Sequence, residues 1–112
     1  GTIDPKHLVT TGEQVLAQLQ TYMFDLAILS VEGVDASLGL TCDAFGLASI
    51  TQSVMSQSRE TFLLTDHTQL NQQKRYRVCD FSKVTAIISD FPEPQDFKGV
   101  LAEHGVDWKF AP

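Results

Sequence analysis

The chain has 112 residues, 43% hydrophobic and 20% charged, close to the average of folded globular proteins and away from the compositions that stay disordered. Its length suits one domain, and residues 1–112 are expected to form one. The net charge of −6 and eight basic residues, clustered only at Lys74, Arg75 and Arg77, leave no broad positive surface to displace counterions from DNA.

The longest apolar runs, Leu26 to Leu29 and Thr61 to Leu64, fall far short of the ~20 residues a membrane span needs. The segment Gly1 to Lys6 leads into no apolar signal-peptide core. A cytoplasmic setting without a membrane partner is the expectation. Cys42 and Cys79 belong to no CxxC pair and have no histidine at metal-ligand spacing, so reduced thiols, no metal and no cofactor are expected.

In chain order, Thr11 with Gln14 three residues on forms a helix-start signature, and Val15, Leu19, Tyr22 and Met23 recur at helical spacing. A helix over Gly12 to Met23 is predicted. Phe24 to Val31 reads as a strand buried on both faces, followed by a glycine-containing loop, Glu32 to Asp35. Asp43 is placed to cap a second helix reaching Gln57, with Leu47, Ile50 and Val54 inside and the uncharged Ser49, Gln52, Ser53 and Ser56 outside.

Thr61 to Thr65 reads as a second buried strand, Asp66 to Gln73 as a polar loop or short helix, Tyr76 to Cys79 as a weak strand, and Thr85 to Ser89 as a third core strand. Pro92 and Pro94 open a last helix carrying Phe97, Val100, Leu101 and His104. Gly105 stops it, and Val106 to Phe110 closes the chain as a strand. Apolar strands alternating with helices, joined by connections long enough for crossovers, predict an α/β fold with a mainly parallel sheet flanked by helices.

Ligands of such sheets bind beyond the carboxyl ends of the strands. Three polar segments stand there: Glu32 to Asp35, Asp66 to Gln69, and Asp90. Asp90, followed by Phe91 and Pro92, reads as a turn-capping acid. His67 is a solvated loop histidine or a ligand group.

These motifs, in order, are Phe24-Asp25, Glu32-Gly33-Val34-Asp35, Gly39-Leu40-Thr41, Phe62-Leu63-Leu64-Thr65-Asp66, Ile87-Ile88-Ser89-Asp90 and Leu101 to Val106. They resemble the C-terminal sensor domain of DeoR-type bacterial transcriptional regulators over nearly the whole chain. The resemblance implies the fold of sugar-phosphate isomerases, glucosamine-phosphate deaminases and coenzyme A transferases. It also implies an effector that is a phosphorylated sugar or related metabolite, a homo-oligomer, and DNA binding only through an N-terminal helix-turn-helix. Neither that motif nor the phosphate-loop segment opening the sensor domain is found in these residues.

On the resemblance, Glu32, Gly33, Asp35, Thr51, Asp66, His67 and Gln69 are the candidate ligand-binding residues, none of them catalytic. Thr51 and Gln69 stand where the family places lysines. Losing two cations weakens the grip on a phosphate, because charge-assisted hydrogen bonds are roughly twice as strong as neutral ones. A less anionic effector is therefore expected. Three functions remain open: the effector sensor, which is not an enzyme; an isomerase- or deaminase-like enzyme; and an oligomerisation module without ligand.

Overall fold

A computed structural model describes residues 22–112. The helix predicted over Gly12 to Met23 lies outside these residues except for Tyr22 and Met23, which are irregular and exposed.

The first strand, β1 (Phe24–Ser30), is not buried on both faces as expected but alternates, with Ala27 and Leu29 buried while Ile28 and Ser30 are exposed. It is followed by β2 (Gly33–Asp35), β3 (Gly39–Cys42), helix α1 (Phe45–Ser56), β4 (Ser58–Thr65), β5 (Tyr76–Cys79), a 3-10 turn (Phe81–Lys83), β6 (Ala86–Ser89), helix α2 (Gln95–His104) and β7 (Asp107–Phe110). Strands β1, β4, β6 and β7 form one sheet in that order, every pair parallel. The expected α/β class with a mainly parallel sheet is observed.

The row Leu29, Leu63 and Ile87 lies side by side in register across β1, β4 and β6. All three are buried, with Val54 of α1 and Phe97 and Leu101 of α2, in one core. Phe97 meets Phe81 edge-on with ring centroids 6.1 Å apart and leans on Trp108 at 6.2 Å. Trp108 Nε1 donates to Phe91 O at 2.8 Å, satisfying the indole while its ring packs. α2 ends at Gly105, whose φ of 68° is left-handed, as its sequence signal implies.

Two further expectations need correction. Gly33 to Asp35 is not a loop: β2 pairs antiparallel with β3, and β3 with β5, in a second, three-stranded sheet. Its strands of three and four residues are too short to show a period; β2 and β3 form a local hairpin, while β5 joins β3 from more than thirty residues away. Asp43 does not cap α1, whose N-cap is Ala44 without a side-chain bond. The Asp43 amide donates to Glu32 Oε1 at 3.0 Å, and its carboxylate accepts from Arg75 N at 3.4 Å. Asp66 to Gln73 takes the loop of its two alternatives, and Leu70 bridges to Val34.

Candidate functional site

Because β1, β4 and β6 run parallel, their carboxyl ends open on the same side, where β4 and β6 run directly into Asp66 and Asp90. An open bowl of about 330 Å³ lies there, lined by Ser30, Leu64, Thr65, Asp66, Gln69, Ile88, Ser89, Asp90 and Ala111. Its floor is the last residues of the three strands, and its polar rim is the two loops after β4 and β6.

The rim is built by hydrogen bonds. Asp66 Oδ1 accepts from Thr68 N at 2.8 Å and from the Thr68 hydroxyl, which holds the carboxyl below its ordinary value of 3.8. Gln69 Oε1 accepts from the Thr65 hydroxyl at 2.9 Å and from Asp66 N at 3.1 Å, so its Nε2 is left to donate. Asp90 joins the two loops: Oδ1 accepts from His67 N at 2.9 Å, and Oδ2 lies 3.0 Å from His67 Nδ1.

Of the seven residues singled out from the sequence, Asp66 and Gln69 line the bowl, and His67 stands beside it through Asp90. The other four lie elsewhere. Asp35 folds its carboxylate back onto its own turn, accepting from Ser37 N, the Ser37 hydroxyl and Leu38 N. Glu32 is exposed and accepts from Asp43 N. Thr51 is buried in α1 and lines no part of the bowl, so a lysine there would enter the core.

Gly33 serves packing. A Cβ at that position would meet Gln72 O at 2.5 Å and Thr41 Oγ1 at 2.6 Å. This close approach lets Val34 N donate to Gln69 O and Asn71 N donate to Val34 O, at 3.0 and 2.7 Å.

Asp90 was read from the sequence as a turn cap, yet it lines the bowl. The signal was present: Asp90 follows Ile87-Ile88-Ser89 just as Asp66 follows Phe62 to Thr65. Ser30 and Ser89 also line the bowl and carried no sequence signal. Among the described residues, no group of three or more His, Cys, Asp or Glu side chains is placed to hold a metal ion, and no helix is long and apolar enough to cross a membrane. Cys42 and Cys79 are free thiols.

The family model described as the DeoR C terminal sensor domain matches residues 1–91. The chain is 23% identical over 107 residues to the HTH-type transcriptional repressor GlcR of Bacillus subtilis, covering 96% of this chain and 41% of that protein. It is 24% identical over 95 residues to the glycerol-3-phosphate regulon repressor of Escherichia coli, covering 85% and 38%. With the L-fucose operon activator of Escherichia coli it shares 30% identity over 91 residues, covering 80% and 37%. The chain thus spans about two fifths of the length of these relatives.

Proposed function

The chain belongs to the DeoR C-terminal sensor domain family, and from that premise we propose that it is the effector-binding part of a transcriptional regulator, taking a sugar or sugar phosphate in the bowl at the ends of β1, β4 and β6. DNA binding falls to a segment outside these 112 residues, and the complete regulator acts as a homo-oligomer in the cytoplasm. The observation carrying this reading is the bowl itself, with Asp66, Gln69 and Asp90 converging on strand ends of a parallel sheet. The relatives support it: they include regulators named for glycerol-3-phosphate and L-fucose.

The chemistry of the rim suits hydroxyl groups. Carboxylates accept hydrogen bonds from them, and the Gln69 amide donates. Among the described residues neither lysine nor arginine lines the bowl, so a phosphate dianion beside Asp66 and Asp90 would meet repulsion that no lysine or arginine among them offsets. The polyol end of the effector therefore docks here, and a phosphate, where one is present, is held outside the described residues.

Calorimetry on the full-length protein with a panel of sugars and sugar phosphates tests this. Asp66→Asn and Asp90→Asn should each weaken the best ligand about tenfold, through loss of a charged acceptor for its hydroxyls. A tight ligand indifferent to both substitutions would place the effector elsewhere.

A further inference from the structure

The orientation of Asp90 is set from across the bowl. A turn-capping aspartate bonds amides of its own loop, yet the Phe91 amide donates to Ser89 Oγ at 3.3 Å, and both carboxylate oxygens of Asp90 go to His67. Oδ1 accepts from the His67 amide at 2.9 Å, and Oδ2 lies 3.0 Å from the ring Nδ1. One residue on the loop after β4 thus holds the carboxylate of the loop after β6 at two points, which fixes its plane as well as its place.

The tautomer follows. An ionised carboxylate only accepts, so Nδ1 carries the proton and Nε2 of the neutral ring is bare. Asp90 lines the bowl and His67 stands behind it, so the influence of His67 on a ligand passes through Asp90. The two side chains keep 64% and 43% of their surface exposed, and an exposed pair of this kind adds little to the stability of a fold. Its effect is local.

Charge is the second part. Among the described residues the charged groups facing His67 are Asp90 across the bowl and Asp66 on its own loop, whose carboxyl is held below 3.8 first by the Thr68 hydroxyl and amide and then by the charge of His67. A second proton, on Nε2, leaves the bond from Nδ1 to Oδ2 in place and turns it into an ion pair. The carboxylate is then partly neutralised, and a hydroxyl bonding its remaining lone pairs meets a weaker acceptor.

We propose that His67 is a positioning residue for the effector: its neutral ring holds Asp90 ready for the hydroxyls of a polyol, and its protonation, by pairing with Asp90, lowers the affinity of the bowl. Proton and effector compete for one carboxylate, so each weakens the binding of the other by the same factor. The grip on Asp90 stands on the hydrogen bonds alone. Its effect on a ligand rests on the function proposed above.

Heteronuclear NMR of the imidazole nitrogens, in the full-length protein without ligand, tests the grip. At pH 8 the His67 ring should carry its proton on Nδ1 with Nε2 bare, and Asp90→Ala should abolish that preference. A ring protonated at Nε2, or one indifferent to Asp90→Ala, would overturn the inference whatever the effector proves to be.

Sorbitol, an uncharged polyol, is the probe for the effect on a ligand, followed through the amide signals of residues 66–69 and 90 up to molar concentration. Its affinity should fall about fivefold between pH 8 and pH 5.5, a range in which imidazoles as a class gain their proton and carboxylates stay ionised. His67→Asn keeps an N–H donor near the place of Nδ1 but takes up no proton, and should bind at both pH values within about twofold of the wild type at pH 8. His67→Ala should lose about tenfold at pH 8. A flat wild-type profile, a fall with pH that survives in His67→Asn, or His67→Ala binding like the wild type at pH 8 would each overturn the proposal. Sorbitol that moves none of these amides would instead refute the polyol reading of the bowl, and the effector role of His67 with it.

Discussion

Replacing Gly33 by alanine places a methyl group 2.5 Å from Gln72 O and 2.6 Å from Thr41 Oγ1, both closer than real Cβ contacts allow. Neither neighbour can step aside freely. The Thr41 hydroxyl donates to Gly33 O at 3.4 Å and accepts from Lys74 N at 2.9 Å. The Gln72 carbonyl lies on a loop tied to Val34 by Gln69 O and Asn71 N.

Overpacking of this kind typically costs 1–3 kcal/mol, so we expect about 2 kcal/mol here. With a urea dependence of about 1–3 kcal/mol per molar for proteins of this size, the unfolding midpoint should fall by roughly 1 M. The same displacement moves Gln69, and effector affinity should fall as well. Gly99→Ala supplies the opposite sign: nothing lies within 4 Å of its Cβ position in α2, and a helix-interior glycine is destabilising by roughly 0.5–1 kcal/mol relative to alanine. An unchanged or raised midpoint for Gly33→Ala, with Gly99→Ala behaving as expected, would refute the close-packing account of Gly33.

Two further outcomes follow from titratable groups. Burial alone would raise the Asp35 carboxyl, but hydrogen bonds from Leu38 N, the Ser37 hydroxyl and Ser37 N outweigh it and hold the group below 3.8. Its folded value lies below its unfolded one, so its stabilisation is complete above about pH 4 and is lost as pH falls through the folded value. Asp35→Asn should therefore flatten the acid limb of an unfolding titration followed by circular dichroism, and an acid limb identical to wild type would contradict this. At Cys79, burial and then the nearby Asp80 push the thiol up to about 11. Iodoacetamide at pH 8 should modify it about a hundredfold more slowly than a free thiol, with the rate rising about tenfold per pH unit; reaction as fast as free cysteine would exclude a raised value.

The parallel sheet was legible because its strands are apolar runs and its last helix carries its stop, Gly105, with a left-handed φ. The second sheet was not. Gly33 to Asp35 and Gly39 to Cys42 pair as a hairpin too short to show a period, and it is braced by close glycine approaches and by Thr41, contacts set by residues some thirty to forty positions away, such as Lys74 and Cys79. The same limit acted on the site. Asp66 and Gln69 could be chosen because they follow a strand, whereas the role of Asp90 depends on His67, 23 residues distant in sequence. Thr51 resembled a site position by alignment of motifs, but the inner stripe of α1 claims it for the core.

That second sheet also bears on how well the bowl can bind. The loop after β4 is fixed at its side chains by the bonds of Gln69 Oε1 to Thr65 and Asp66, at its backbone by Val34, and across the bowl by Asp90. A loop free to move would lose conformational freedom on closing around a ligand, at roughly 0.5–1.5 kcal/mol for each immobilised side chain. Here folding has already met that cost, because β2 and the Gly33 contact brace the loop before any ligand arrives. The two carboxylates and the Gln69 amide thus stand in a fixed spatial pattern. On the function proposed above, discrimination between polyols would follow from which hydroxyls match that pattern, since a mismatched ligand leaves a carboxylate that it covers without a donor.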